Sequence, residues 1–387
     1  MAPSLACQKE RFDLPAGEHF LNCAYMGPLP RTVQEAGVAG IRAKAAPLAI
    51  GPEDFFRDAD RARALFADLI AAPRPERVAI LPSVSYGMAV VARNVTLAAG
   101  ANVVTAAEQF PSNVYPWRKA CARAGAELRV VARPVSATPG QAWNEALLEA
   151  VDGATALVAL APLHWTDGTI FDVAALGARA RQVGARFVLD GTQAVGAMPF
   201  DVTEARPDAL IVAAYKWLLG PYGMALGWFG PAFDDGEPLE EGWITRGGSR
   251  DFQGLVDYRD DYEPGAIRFD VGERSNFILL PMVVAALELV GGWGPEAVRD
   301  YCGALMTDAI AEARELGYGV EEDRWRAAHL FGLRAPAGLE LAALHAALER
   351  RRVRASLRGT ALRVAPNVYN DAGDAAALVE ALRAARG

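Results

Sequence analysis

Asp208-Ala-Leu-Ile-Val-Ala-Ala-Tyr215-Lys216-Trp-Leu-Leu-Gly220-Pro-Tyr-Gly223 is an apolar run that ends on a lysine and then on a Gly-Pro turn. Short apolar runs bounded by turn signals predict strands buried on both faces, as in parallel sheets covered by helices. Moving outward from 209–213, similar runs occur at 77–81, 102–105, 128–132, 156–160, 186–190 and 224–228. Longer segments of helical period separate them. The alternation predicts the α/β class: a three-layer α/β/α arrangement around a mostly parallel, seven-stranded sheet.

Beyond this region the pattern changes. Residues 231–272 carry clustered Asp, Glu, Arg and Gly without a sustained period, which predicts a long irregular connection. After Pro281 a helical pattern runs to about Leu316, followed by strand-like runs at 329–333 and 362–364 around a helix at 339–351. These elements predict a smaller α+β C-terminal domain. The expected division is an N-terminal arm at 1–30, a large domain at 31–280 and a small domain at 281–387.

Composition excludes several classes. Of 387 residues 52% are hydrophobic and 22% charged, the balance of a globular protein with a sizeable core. A net charge of −8 argues against a surface built for nucleic acid or an anionic membrane, which need concentrated positive charge. The four cysteines, Cys7, Cys23, Cys121 and Cys302, form no CxxC pair, so neither a metal site nor a disulfide framework is expected. The opening twenty residues have no apolar core of signal-peptide length, and 277–293 is broken by Pro281 and Glu288 and too short to span a bilayer. A cytoplasmic protein is expected.

Two positions carry chemistry. Asp190, in Phe187-Val-Leu-Asp190-Gly-Thr-Gln193, stands at the C-terminal end of a buried strand, where open α/β sheets bind ligands. Taken alone, it reads first as the N-cap of the next helix, and the downstream lysine is what shifts the balance. Lys216 follows the strand 209–213, and an ammonium there is heavily desolvated unless paired, neutralised or snorkelled to the surface. Burial favours the neutral amine, the nucleophile that attacks an aldehyde. Ser83-Val84-Ser85-Tyr86-Gly87 opens a helix after 77–81 and presents free N–H groups and a positive dipole end, suited to a phosphate or to a plain cap.

Together these motifs resemble the class V aminotransferase family of fold-type I pyridoxal-5'-phosphate (PLP) enzymes, which includes cysteine desulfurases, selenocysteine lyases and kynureninases. The likeness runs from Phe20-Leu-Asn22-Cys-Ala-Tyr-Met-Gly27-Pro-Leu-Pro30 to Leu362-Arg363-Val-Ala-Pro-Asn-Val-Tyr369-Asn370. By that resemblance the cofactor is PLP, the arm 1–30 joins the small domain and 31–280 binds the cofactor. Lys216 would form the Schiff base and Asp190 would keep the pyridine nitrogen protonated. Gln193 would bond the phenolate oxygen, and Val84, Ser85 and Tyr215 would hold the phosphate.

The resemblance extends to the walls of the site. Phe110, in Glu108-Gln-Phe110-Pro-Ser-Asn113, matches the ring that stacks on PLP, which is histidine in desulfurases and phenylalanine in kynureninases. Arg363 matches the arginine that binds a substrate carboxylate, and Asn22 and Trp165 are expected beside the substrate. Trp165 replaces an asparagine of many relatives, so that residue's role does not transfer. His164 is counted with Lys216 and Asp190 as catalytic, although a turn-capping role fits equally well. Arg268-Phe-Asp-Val-Gly272-Glu273-Arg274-Ser275-Asn276 resembles the segment that reaches the neighbouring subunit's phosphate, which implies a homodimer with shared sites and assigns Asn276 to the cofactor. Trp243 resembles a kynureninase interface residue.

Desulfurases of this family place a nucleophilic cysteine just before the C-terminal arginine strand, where 350–360 here holds none. Persulfide-forming desulfuration is therefore not expected, and the sequence does not choose among the remaining reactions; transamination of a small amino-group substrate comes first because aminotransferase is the general label of the family it resembles. A C–S β-lyase, a kynureninase-like hydrolase, an epimerase and a nonenzymatic binding protein are the alternatives.

Overall fold

A computed structural model describes residues 5–386; the first four residues of the predicted arm and Gly387 lie outside it. A two-residue strand, β1 (His19–Phe20), precedes the helices α1 (Arg31–Ala45) and α2 (Asp54–Leu69). The apolar runs then form the expected strands: β2 (Val78–Leu81), β3 (Asn102–Ala106), β4 (Glu127–Val131), β5 (Thr155–Leu160), β6 (Arg186–Asp190), β7 (Ala209–Ala213) and β8 (Ala225–Phe229). They make one seven-stranded sheet in the order β2-β8-β7-β6-β5-β3-β4. Only β8 runs against its neighbours; the other six point the same way.

Side chains alternate across a strand, and the burial follows that period. Ile80, Val104, Val158, Leu189, Leu210 and Val212 enter one core, and Ala79, Leu81, Val103, Ala159, Val188 and Ile211 enter another on the opposite face. The second core is closed by α3 (Val84–Asn94) and α4 (Tyr115–Ala124), through Met88, Val91, Trp117 and Cys121. The first is closed by α2 together with α5 (Pro139–Ala150) and α6 (Val173–Gln182), through Phe66, Trp143, Leu147 and Leu176. Each such large apolar side chain contributes on the order of 1.5–3 kcal/mol by leaving water. β4 departs from the expected run: it is the sheet edge, and Glu127 and Val130 stay exposed where no neighbour covers them.

The long irregular connection holds only single turns, among them Pro231–Phe233, Trp243–Thr245 and Gly265–Phe269; α7 (Val202–Ala205) is a short turn before β7. The expected long helix after Pro281 is two helices, α8 (Leu279–Trp293) and α9 (Pro295–Glu315). Gly294, at φ 81°, takes the left-handed conformation that ends α8, and Pro295 starts α9 at a position where its missing N–H costs nothing. α8 packs on α1 and α2 and sends Leu280, Val283 and Leu287 into the sheet's core, so that core extends past residue 281.

Further on, β9 (Phe331–Arg334), α10 (Leu341–Arg350), β10 (Val353–Arg354), β11 (Ser356–Arg358), β12 (Ala361–Val364) and α11 (Ala372–Arg386) complete the chain. β11, β12 and β9 form an antiparallel sheet whose core includes Met306, Leu344, Leu362 and Leu378. Leu21 belongs to the same core, and β1 pairs in parallel with β10, so the N-terminal segment is tied to the C-terminal one. No helix among the described residues is long and apolar enough to cross a membrane, and no cluster of potential metal ligands occurs among them.

Candidate active site

The C-terminal ends of the parallel strands converge on one cavity of about 190 Å³. Asp190 ends β6, and its Oδ1 accepts the backbone N–H of Thr192 at 3.0 Å. The Thr192 hydroxyl in turn accepts the Ala213 N–H at 3.1 Å, which locks the turn after β6 to the end of β7. Lys216 lies three residues beyond that end, in a turn where Leu219 adopts φ 55° and Gly220 N–H closes onto Ala214 O at 2.8 Å. The N-terminal segment braces this turn from behind: Gly27 N–H donates to Tyr215 O at 2.9 Å, and a Cβ on Gly27 would stand 2.2 Å from Lys216 O.

Val84, Ser85, Phe110, Trp165, Asp190, Gln193, Tyr215 and Lys216 all line the cavity, as the sequence reading grouped them. Lys216 is 5% exposed, and burial, outweighing the attraction of Asp190, pushes its amine down to about 8. Its Nζ stands 5.1 Å from the centre of the Phe110 ring and 5.5 Å from that of Tyr215. Burial raises the Asp190 carboxyl, against the hydrogen bonds from Thr192 and the charge of Lys216. Above them, α3 begins at Val84, with the Ser83 hydroxyl accepting the Tyr86 N–H at 3.1 Å. First-turn N–H groups have no partner inside a helix, so this cap leaves those of Val84 and Ser85 at the cavity wall. Gln193 is fixed from two sides: Trp217 Nε1 donates to its Oε1 at 2.8 Å and its Nε2 donates to Ala24 O at 3.1 Å.

Three expected residues stand elsewhere. His164 is turned away from the cavity, into a second one of about 390 Å³. Its Nδ1 meets Thr166 Oγ1 at 2.7 Å and its Nε2 meets Ala107 O at 3.1 Å, while burial holds the ring below its usual pKa. With both nitrogens engaged it braces the loop after β5, and its side chain is not among the groups that converge on Lys216. Asn22 accepts the Ser356 hydroxyl at 2.9 Å and does not line the cavity. Asn276 caps α8 through the N–H groups of Ile278 and Leu279, beside Phe55 and Trp243 in a separate cavity. Arg363 is 1% exposed and adjoins the site through Trp165, whose carbonyl accepts from its Nη1 at 3.0 Å.

Sequence reasoning passed over Gln109, Thr192 and Tyr222. Gln109 is buried in the cavity wall with its Nε2 lacking a partner among the described residues. The signal was its place directly before Phe110. Tyr222 packs on Tyr215 with ring centres 4.7 Å apart at the mouth, and its signal was the Gly-Pro-Tyr-Gly turn after Lys216.

These groups fit PLP on chemical grounds. A buried carboxylate without a cationic hydrogen-bond partner suits a protonated ring nitrogen, a buried amine of lowered pKa suits an aldehyde, and a helix start whose Val84 and Ser85 N–H groups stay free suits a phosphate. Fold and cavity together are those of a fold-type I PLP-dependent enzyme. Residues 52–242 match the family model described as Aminotransferase class-V. The chain belongs to the class V aminotransferase family, and its cofactor is PLP.

It is 27% identical to an uncharacterized aminotransferase, YcbU, of Bacillus subtilis (strain 168), over 80% of this chain and 79% of that one. It is 26% identical to isopenicillin N epimerase of Streptomyces clavuligerus, over 95% of this chain and 94% of that one. Among solved structures, C-DES, a cystine C-S lyase captured with glycine covalently linked to its PLP, superimposes with a TM-score of 0.83 at 19% identity, over 97% of this chain and 98% of that one.

Proposed function

We propose that this enzyme transfers the amino group of an amino acid, with Lys216 as the residue that carries PLP as a Schiff base. The observation that carries the reading is the buried amine of Lys216, lowered to about 8, beside the Phe110 ring in the cavity that Asp190 also lines. PLP, when bound, supplies an electron sink for the charge left when a bond to the substrate's Cα breaks.

The chain's own residues supply the rest. Lys216 Nζ takes and returns the Cα proton, a task suited to an amine whose pKa lies near the working pH. Asp190 holds a proton on the ring nitrogen, which gives this desolvated carboxylate the cationic partner it lacks. Phe110 would lie against the ring and Gln193 would bond its oxygen. The Val84 and Ser85 N–H groups, the Ser85 hydroxyl and Tyr215 hold the phosphate. Arg363 takes the substrate carboxylate as a two-pronged donor, and Trp165 walls the substrate space.

The reading includes an obligate cytoplasmic homodimer, in which Ser275 or Asn276 reaches the cofactor of the partner subunit. Phe277 and Trp243, part-exposed aromatics that line one open cavity with Asn276, support an isologous contact, whereas Phe269 and Arg274 of that segment are buried within the chain. Sedimentation at falling concentration tests it: a monomer that keeps full PLP occupancy contradicts the shared site.

A lyase is the second reading, favoured by the likeness to C-DES and, for a route with no persulfide held on the enzyme, by the absence of cysteine from 350–360. Product analysis separates the two. A transferase converts an amino donor to its 2-oxo acid only when a 2-oxo acid acceptor is present, in equal amounts. Pyruvate and ammonia formed from a β-substituted amino acid without any acceptor establish the lyase instead.

A further inference from the structure

Two arginines flank the indole of Trp165. The antiparallel register of β11 and β12 sets Ser356 opposite Arg363 and Arg358 opposite Ala361. Residues two apart on a strand share a face, so Arg358 and Arg363 point to the same side of this sheet. Their guanidinium carbons stand 5.7 and 5.8 Å from the Trp165 ring centre. The indole itself is fixed, its Nε1 donating to Glu108 O at 2.7 Å, and it forms part of the wall of the Lys216 cavity.

Among the described residues neither guanidinium meets a carboxylate. Arg358 Nη1 donates to Leu357 O at 2.8 Å and Arg363 Nη1 to Trp165 O. Nε and Nη2 of Arg363 are buried without any partner. Burial above all, and then the charge of Arg358, lowers Arg363 to about 9. Buried donors left unpaired are costly, and a pair of them beside a ligand cavity is accounted for when the ligand brings the acceptors.

One carboxylate satisfies one of these arginines. We infer that the substrate is an amino acid bearing a second carboxylate on its side chain, read by Arg358 while Arg363 takes the α-carboxylate. Arg358 would thereby set specificity: it sits at the hairpin tip next to Gly359, half-buried, lining the cavity that holds His164, with its guanidinium 5.7 Å from the Trp165 ring that walls the Lys216 cavity. The inference rests on the reading that the Lys216 cavity takes an amino acid.

The test uses unreactive acids on the PLP-loaded protein, so no turnover is needed. Calorimetric titration with glutarate, succinate and valerate should give the better dicarboxylate at least about tenfold tighter binding than valerate, the scale of one charge-assisted pair. Arg358→Gln should remove that preference and leave valerate within about twofold, and Arg358→Lys should retain part of it. Equal binding of the three acids by the unsubstituted protein overturns the inference without recourse to any variant. A dicarboxylate preference that survives Arg358→Gln overturns it as well. A protein that holds PLP on Lys216 yet binds the acids alike contradicts only the second carboxylate, whereas PLP found on another lysine contradicts the wider reading.

Discussion

Lys216 Nζ stands 5.1 Å from the centre of the Phe110 ring, and both groups line one cavity. The ring covers an amine that burial has already made easier to deprotonate. Phe110→Ala should weaken PLP binding about three- to tenfold, the worth of one aromatic stacking contact, while Phe110→His should retain most of it. Equilibrium dialysis followed by cofactor absorbance reads the effect. Unchanged retention by the alanine variant contradicts the stacking role.

Asp190 is a desolvated carboxylate held by Thr192. Asp190→Asn keeps the hydrogen-bonding oxygen and removes the charge, so kcat should fall by about a hundredfold or more, as when a preorganised electrostatic partner is removed. Asp190→Glu should lose much less. Equal kcat in the two variants contradicts the role assigned to the charge.

The direction of the Lys216 shift fixes a pH dependence. Burial lowers the amine from 10.5 to about 8, and the neutral form is the nucleophile, so covalent capture of PLP by cofactor-free protein should quicken as pH rises and level off above about 8. Stopped-flow absorbance from about pH 6 to about pH 11, which brackets both the lowered and the ordinary lysine values, gives the midpoint. A midpoint near 10.5 indicates an ordinary exposed lysine. The same shift affects stability. Between about 8 and 10.5 the unfolded chain binds the proton that the folded chain has lost, so the cofactor-free protein gains stability as pH rises through that window.

Gly27 approaches the Lys216 carbonyl more closely than a side chain allows. Gly27→Ala should destabilise the protein by ~1–3 kcal/mol and loosen PLP, because the added methyl pushes on the turn that holds Lys216. Thermal melts with and without PLP measure both effects. A variant with native melting and native cofactor affinity shows that this contact is not needed to position the lysine.

Much of this architecture was legible in the sequence because its signals are local. The run 186–190 is apolar on both sides of the strand and ends on Asp190, and it forms β6 with those same limits. The lysine after 209–213 needed no long-range information to stand out. What escaped was set by tertiary packing. His164 sits beside Trp165 in sequence, yet Trp165 lines the cavity and His164 turns to Ala107 O and Thr166, because the chain turns at 165–167, with Gly168 N–H closing onto His164 O, and parts the two side chains. Asn22 was absorbed by Ser356, a partner 334 residues away. Gly294 split the predicted long helix, although a glycine before a proline is itself a stop signal.

The central claim is that Lys216 carries the cofactor. Borohydride reduction of the PLP-loaded protein, followed by digestion and mass spectrometry of the peptides, addresses it without any assumption about substrate. The account predicts one modified peptide, with the pyridoxyl group on Lys216, and its complete loss in a folded Lys216→Ala variant. A pyridoxyl group on any other lysine, or a Lys216→Ala protein still modified at full yield, contradicts it.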